Sequence, residues 1–298
     1  MNIRDLKYLI ALVEHKHFGK AADACHTSQP TLSMQIKKLE DFLGVKVVER
    51  DNRNVLVTPE GHLLAEKART IVNNIDELRL LAKTISDPYG GEMKIGIIPT
   101  LGPYLLPLIM PKLAEAYPNL KIYLLEQKTH EILEQLRFGK LDAIILALPI
   151  SDEDSTAMPL FTEEFILAVP KTHPLAKKSS VEQQQLKKEK ILLLDEGHCL
   201  RAQALAICNQ VNATDIQNFQ ATSLETLRHM VAAGTGVTFL PQLACYKNPN
   251  IHYISFADPK PHREIAMLWR NTFGRTKLLK EICDIIQKEA KIALQKIP

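Results

Sequence analysis

The stretch that decides the fold of the N-terminal region is residues 18–44, FGKAADACHTSQPTLSMQIKKLEDFLG. It predicts a short helix and then a longer helix that begins near Thr27–Ser28, with Pro30 in its first turn. Gly44 stops the longer helix. The apolar side chains of the longer helix recur at helical spacing and are Leu32, Ile36, Leu39 and Leu43. Two helices joined by so tight a junction are typical of a helix-turn-helix.

The flanks of this stretch extend the motif. An amphipathic helix precedes it, with Asn2 as its N-cap. After it, strands Val47–Glu49 and Val55–Val57 enclose a polar tip that carries Arg50 and Arg53. The whole predicts an all-α-dominated winged helix-turn-helix, whose tip can contact phosphate or the minor groove.

The face of the longer helix opposite its apolar stripe is polar. It carries Pro30, Thr31, Met34, Lys37 and Lys38, with Ser33 at its edge. Such a face suits a helix that enters the major groove of DNA. The pattern alone fits equally well a generic three-helix domain whose lysines are simply solvated.

A long helix is predicted from Thr58, its N-cap, to Ser86. Its apolar side chains alternate at intervals of four and three and are Leu64, Ala68, Ile71, Ile75, Leu78, Ala82 and Ile85. This heptad seam predicts a coiled coil rather than a helix packed on its own domain. The first domain is then 1–58 and the linker or dimerisation helix 59–87, with a hinge at Asp87–Gly91.

Residues 88–298 predict an α/β regulatory domain of two lobes, similar to periplasmic-binding-protein-like domains. Lobe I covers about 88–162 and 267–298, and lobe II about 163–266. In lobe I, alternating elements predict a parallel sheet with strands Met93–Ile98, Lys121–Glu126 and Leu141–Leu148 and helices Leu101–Tyr117, Thr129–Phe138 and Thr276–Ile297. The chain crosses between lobes at Phe161–Pro170 and Arg263–Arg270, and lobe II has strands Ile191–Leu194, Phe219–Ala221 and Val237–Leu240.

Composition restricts the class of protein further. The chain has 298 residues, 46% of them hydrophobic, and a formal net charge of +3, which is ordinary for a multidomain globular protein. It has neither a secretory signal nor an apolar run long enough for a membrane span, so we expect a cytoplasmic location and no membrane partner. Five cysteines are too few for a disulfide scaffold. Phosphate-binding loops, dinucleotide fingerprints and metal-spaced clusters are absent from the sequence, which predicts no cofactor and no metal.

Three polar residues follow predicted strands, where open α/β sheets bind ligands. They are Thr100, Thr129 and His198. Each also has an ordinary structural interpretation, because Thr129 is a good N-cap, Thr100 a turn residue and His198 a loop histidine. Spacing alone favours those ordinary roles.

The sharpest feature is a pair of cysteines, Cys199 and Cys208. A glycine-containing loop leads into Cys199. A helix start together with Arg201 lowers the pKa of its thiol, whereas Asp195 and Glu196 oppose that effect. The segment between the cysteines has high helix propensity. In a helix their Cα atoms would lie roughly 13–14 Å apart, and a disulfide needs less than about 7 Å. Bond formation would therefore act as a structural switch. The residues by themselves favour a simpler interpretation, an inert surface helix with one half-buried cysteine and one core cysteine.

The N-terminal motif resembles that of the LysR-type transcriptional regulators. The match lies in Phe18-(x)2-Ala21-Ala22, in Ser28-Gln29-Pro30-Thr31-Leu32-Ser33, in Ile36-(x)2-Leu39-Glu40-(x)2-Leu43-Gly44 and in Glu49-Arg50. The resemblance implies a DNA-binding regulator, with Gln29, Pro30, Thr31 and Ser33 on the recognition helix beside Lys37, and Arg50 and Arg53 on the wing. The base contact of Met34 stays open.

His198-Cys199-Leu200-Arg201 with Cys208 further resembles the hydrogen-peroxide-sensing activators of that family, as do residues 1–6, 98–107 and 221–228. This implies a peroxidatic Cys199, a resolving Cys208 and a peroxide pocket of Thr100, Thr129 and His198. It implies a homodimer or homotetramer, with promoter DNA, RNA polymerase, hydrogen peroxide and thiol reductants such as glutaredoxin as partners. Cys25, Cys245 and Cys283 would be bystanders.

Two other functions remain open at this point. One is a regulator gated by a small organic effector in the cleft between the lobes. The other is a thiol peroxidase, which would need sustained turnover with a reductant. The dense helix-turn-helix motif argues against catalysis as the main role, so we expect that the protein is not an enzyme.

Overall fold

The structure, a computed structural model, describes residues 1–50, 55–150, 152–211 and 214–296. It divides into two units, Met1–Ile85 and Ser86–Pro298. Each unit has a hydrophobic core of its own.

Local capping fixes the helices of the first unit. Asn2 and Asp5 form a reciprocal capping box, in which Asp5 N donates to Asn2 Oδ1 over 3.1 Å. Ser28 Oγ accepts from Thr31 N over 3.3 Å, and Gly44 ends its helix with a φ of 72°. The predicted helices are confirmed as α1 Ile3–His15, α2 Phe18–Ala24 and α3 Gln29–Leu43.

The wing is an antiparallel pair of strands, β1 Val48–Arg50 and β2 Val55–Val57. The first strand begins one residue later than predicted. Just before it, Val47 N donates to the buried carboxylate of Glu40 on α3 over 2.9 Å. The predicted wing tip, with Arg53, lies outside the described residues.

Helix α4, Pro59–Ser86, forms as predicted. Its N-terminus is capped by Thr58, whose Oγ1 accepts from Gly61 N over 2.9 Å. Two positions of the heptad seam, Ile71 and Leu78, are 44% and 67% exposed in the single chain.

The second unit is built on a mixed sheet with strand order β4-β3-β5-β12-β6-β11-β7, with β10 also paired to β6. The strands are β3 Gly91–Ile97, β4 Leu120–Glu126, β5 Ala143–Ala147, β6 Ser155–Pro170, β7 Ser180–Val181, β8 Lys190–Leu194, β9 Thr214–Ala221, β10 Thr238–Pro241, β11 Ile251–Phe256 and β12 His262–Arg270. The helices are α5 Gly102–Ala116, α6 Thr129–Arg137, α7 Cys199–Val211, α8 Leu224–Ala232 and α9 Thr276–Leu294.

The parallel sheet predicted for the first lobe is confirmed for its three predicted strands, and a further strand joins it in the opposite direction. Strands β3, β4 and β5 are parallel, but β12 is antiparallel to both β5 and β6 and lies between them. Strand β6 is long enough to pair with β12 in one lobe and with β10 and β11 in the other. It therefore carries the sheet across both lobes.

The segment after α4 is tied to the second unit. Asp87 Oδ1 accepts from Gly90 N over 2.9 Å, and Arg275 Nη2 donates to Gly90 O over 2.7 Å. The helix therefore ends at Ser86 and the sheet begins at Gly91, as the predicted break requires. Among the described residues, none of the helices combines the length and the apolar character that a membrane crossing requires.

Candidate functional sites

The cysteine of greatest interest opens a helix. Cys199 is the first residue of α7, half-buried, and its thiol is free. Cys208 lies on the same helix, as predicted, and its side chain is outside the described part of the chain. Nine residues of α-helix hold the two Cα atoms roughly 13–14 Å apart. The helix must therefore be disrupted before these cysteines can bond.

The loop before Cys199 is held by a cluster of charges. Lys128, on the loop between β4 and α6, places Nζ 2.9 Å from Asp195 Oδ2 and 2.7 Å from Glu196 O. His198 Nε2 lies 3.0 Å from Asp195 Oδ1. Asp195 thus connects Lys128, which follows β4, to His198, which follows β8.

The electrostatics of this cluster follow from burial and from Lys128. The hydrogen bond from Lys128 holds the pKa of Asp195 below its usual value. Burial lowers the pKa of His198, and the Lys128 charge acts in the same direction, while Asp195 opposes both. The imidazole is therefore predominantly neutral at neutral pH.

Thr100 lies in a second, fully buried cluster. Its Oγ1 accepts from Arg263 Nη1 over 3.1 Å, and its carbonyl oxygen accepts from Nη2 over 3.1 Å. Arg263 also forms an ion pair with Glu163 at 2.7 Å, and both side chains are 0% exposed. Glu163 Oε2 accepts in turn from Leu243 N over 3.0 Å. Thr100 is thus anchored to the crossing strands and is not a simple turn residue.

The prediction that Thr129 caps α6 is wrong. Glu131 accepts from Lys128 N over 2.9 Å, so the helix begins at Lys128 as cap and Thr129 is its first helical residue. The Thr129 hydroxyl oxygen is buried and has no hydrogen-bond partner in the described structure. An unpartnered buried hydroxyl is able to receive a small polar ligand.

The predicted pocket residues follow the expected strands. Thr100 comes after β3, Thr129 after β4 and His198 after β8. The Lys128–Asp195 ion pair has Thr129 adjacent in sequence on one side and His198 in contact on the other.

Sequence reasoning missed Lys128 and the Glu163–Arg263 pair. The sequence carries no local signal for the pair, because Glu163 stands next to Glu164 and Arg263 stands between His262 and Glu264.

The side chain of Arg201 binds a backbone carbonyl, and burial sets the thiol pKa of the three remaining described cysteines. Arg201 Nη1 donates to Leu194 O over 2.8 Å, at the end of β8. Cys245 and Cys283 are buried, and burial raises the pKa of each thiol to about 12. Burial also raises the pKa of Cys25. These three thiols are therefore poor nucleophiles.

The candidate nucleic-acid interface is the outer face of α3. Gln29, Pro30 and Lys37 are exposed, and Thr31 and Ser33 are half-buried. Thr31 Oγ1 lies 2.7 Å from Ser28 Oγ, so one hydroxyl of this face is already engaged at the helix start. The side chain of Arg50 and all of Arg53 lie outside what the structure describes.

A cavity of about 800 Å³ is lined in part by residues of α7 that do not include Cys199. Gln203 and Ile207 contribute from the helix, Leu148 and Pro149 from the end of β5, and Arg263 from β12. Gln203 Oε1 is buried without a hydrogen-bond partner in the described structure.

Two family models cover nearly the whole chain. Residues 3–62 match the bacterial regulatory helix-turn-helix protein, lysR family, and residues 86–291 match the LysR substrate binding domain. The chain therefore belongs to the LysR family of regulators.

Within that family the chain closely resembles OxyR. It is 46% identical to a hydrogen peroxide-inducible genes activator of Dickeya chrysanthemi, over 100% of this chain and 98% of the relative. Full-length OxyR C199D from Pseudomonas aeruginosa matches at a TM-score of 0.76 and 39% identity, covering 96% of this chain and 98% of that one. A hydrogen-peroxide-bound OxyR mutant of Corynebacterium glutamicum matches at a TM-score of 0.68 and 31% identity, covering 99% and 94%.

Proposed function

We propose that this protein is a hydrogen-peroxide-responsive, DNA-binding transcriptional regulator, switched by a reversible Cys199–Cys208 disulfide. The observation that carries the proposal is the position of Cys199, a free, half-buried thiol at the start of a helix that also contains Cys208. The names of the relatives support peroxide as the signal. Regulation rather than turnover is the role, because the chain belongs to a family of regulators.

The chemistry takes two balanced steps. The Cys199 thiolate attacks one oxygen of peroxide, the S–O bond forms as the O–O bond breaks, and the departing hydroxide takes up the former thiol proton as water. The Cys208 thiol then loses its proton and its sulfur attacks the sulfenic sulfur; the S–S bond forms as the S–O bond breaks, and the departing hydroxide takes up that proton as a second water. Peroxide is reduced by two electrons, which come from the two thiols.

The peroxide pocket uses the groups that follow the strands. His198 Nε2 lies 3.0 Å from Asp195 Oδ1, so we assign Nδ1, the other imidazole nitrogen, as the acceptor of a hydrogen bond from peroxide or water. The unpartnered Thr129 hydroxyl supplies a second contact. The Thr100 hydroxyl, whose oxygen accepts from Arg263, donates its proton in a third. These groups orient peroxide for attack by Cys199.

The switch follows from helix geometry. Because the bond cannot form across nine residues of intact helix, oxidation disrupts α7 and the packing of Leu200, Ala204 and Ile207 against the lobe II core. Cytosolic thiol reductants such as glutaredoxin reverse the bond, so the signal is transient. The resulting change in the surface of the regulatory domain alters how the protein binds promoter DNA and RNA polymerase.

Binding to DNA follows from α3 and the wing. Gln29, Thr31 and Ser33 read base edges, and Pro30 sets the start of the recognition helix. Lys37, Arg50 and Arg53 contribute affinity for phosphates.

The regulator acts as a homodimer or homotetramer. The support is the heptad seam of α4, with Ile71 and Leu78 exposed in the single chain. Replacing both by Glu should give monomers, because charge would be buried at the seam. Light scattering measures this, and Glu66→Gln, a change at an exposed position of the same helix, is the control. An unchanged oligomer would contradict the proposed seam.

The redox proposal is tested by peptide mass mapping after brief peroxide exposure, with DNA footprinting of the same samples. We expect a Cys199–Cys208 crosslink and an altered footprint in the wild type. Cys199→Ser should abolish both, and Cys208→Ser should accumulate sulfenic acid or its overoxidised products. Cys245→Ser is the control, since that thiol is buried. A crosslink from Cys199 to Cys245 or Cys283 would overturn the proposal.

A second function, control by a small organic effector, is favoured by the cavity beside α7 and by the unpartnered Gln203 Oε1 in its wall. It predicts that DNA binding responds to an effector in the Cys199→Ser variant. If only peroxide changes the footprint, and only through Cys199, this alternative fails.

A further inference from the structure

Lys128 contacts three consecutive residues of the loop that leads to Cys199. Its ammonium donates to the Asp195 carboxylate and to Glu196 O over 2.9 and 2.7 Å. Its stem covers Gly197, where an added Cβ would lie 3.0 Å from Lys128 Cδ. Gly197 has a φ of +88°, so this loop turns in a conformation that favours glycine.

The contact spans the two lobes at the proposed peroxide pocket. Lys128 is adjacent to Thr129, whose buried hydroxyl is unpartnered. Asp195 is adjacent in space to His198. One ion pair therefore joins the residue next to the Thr129 hydroxyl to the residue that contacts the His198 imidazole.

We propose that Lys128 is a positioning residue for peroxide sensing, which acts through Asp195 to hold His198 and the start of α7 in the geometry that reacts with peroxide. This inference rests on the proposed function. The proposed role of Lys128 requires no direct contact with Cys199 or Cys208. It fixes the loop, and through the loop it fixes the imidazole.

The exposure of the pair determines how it can be tested. The side chains of Lys128 and Asp195 are 29% and 25% exposed, so added salt reaches and screens them. An ion pair of this kind contributes modestly. A role in packing alone would not depend on ionic strength, whereas positioning by charge would.

The experiment measures the rate constant for loss of the Cys199 thiol in peroxide, by quenched-flow mass spectrometry on the full-length protein. Lys128→Met keeps the stem over Gly197 and removes the charge, and we expect the rate to fall about two- to fivefold. Lys128→Arg should retain most of it. Between about 0.05 M and about 0.5 M NaCl the wild-type rate should fall towards that of Lys128→Met, whose own rate should change little.

Two controls isolate the effect. Lys121→Met removes the same charge from an exposed position of β4 and should leave the rate unchanged. In an Asp195→Asn background, Lys128→Met should have no further effect if Lys128 acts through Asp195. Equal rates for the wild type and Lys128→Met, or additive losses in the double variant, would overturn the inference. If the wild type forms no Cys199–Cys208 bond, the proposed function itself fails, and the two failures are distinguishable.

Discussion

The regulatory unit contains two ion pairs beside polar residues of the proposed pocket, and they differ in burial. Glu163–Arg263 is 0% exposed on both sides, and its guanidinium also binds Thr100. Asp195–Lys128 is about one quarter exposed on both sides and contacts His198. Of the residues proposed for the pocket, Thr100 is therefore anchored to a buried ion pair, and His198 lies beside an ion pair that salt can screen.

The largest expected effect comes from breaking the buried pair. Arg263→Met leaves the Glu163 carboxylate without its counter-charge in the core, and should lower the free energy of unfolding by about 3–5 kcal/mol. Urea denaturation measures this. Lys260→Met is the matched control, because its pair with Glu164 is exposed and should contribute at most about 1 kcal/mol. Equal losses for the two variants would show that burial does not distinguish the pairs.

An effect of intermediate size on the free energy of unfolding should distinguish Thr100 from Thr129. Thr100→Val removes an acceptor from the buried Arg263 guanidinium and should cost about 1–3 kcal/mol of unfolding free energy. Thr129→Val removes a hydroxyl without a partner in the described structure and should cost close to nothing. Thermal unfolding of the reduced proteins checks both, and a larger loss for Thr129→Val would reverse the comparison.

The smallest expected effect is the pH dependence of stability that comes from the buried His198 beside the half-buried Lys128–Asp195 pair. Because the pKa of His198 is lowered in the folded protein, the unfolded chain binds a proton first as the pH falls. The contribution of His198 to stability is therefore complete above its ordinary pKa of about 6.5 and is lost as the pH falls towards the folded value.

Urea unfolding of the reduced protein at about pH 7.5 and about pH 5.5 measures this loss. The charged groups that contact or act on the imidazole are Asp195 and Lys128. The loss of stability on acidification should be smaller in His198→Gln than in the wild type. The exposed His130→Gln should behave as the wild type does. An undiminished loss in His198→Gln would contradict the assignment.

Local signals made much of the fold predictable. The caps Asn2, Ser28 and Gly44 act within one turn of their helices, so the bounds of α1 and α3 follow from neighbouring residues. The helix that carries Cys199 and Cys208 was likewise predicted from propensity, and its presence defines the proposed switch.

Contacts distant in sequence were not predictable. Thr100 and Arg263 form a hydrogen bond although 163 positions separate them in the sequence, and no periodic pattern of residues predicts such a contact. The sequence suggested Thr129 as the N-cap of α6, but the N-cap is Lys128, whose backbone N–H donates to the Glu131 carboxylate. Neighbouring residues within one turn can each take the cap position, and the sequence did not distinguish them. The antiparallel placement of β12 between β5 and β6 escaped for the same reason, since it depends on pairing between distant strands.

The position of β12 has a consequence for how the protein is made. Its neighbour β5 ends at Ala147, and β12 begins only at His262, so the centre of the sheet stays open while the intervening chain is synthesised. At ordinary rates of translation this delay is on the order of ten seconds. The DNA-binding unit has left the ribosome by then. Trp269, the only tryptophan in the sequence, lies on β12 and is 2% exposed, so its fluorescence reports the moment at which the sheet closes.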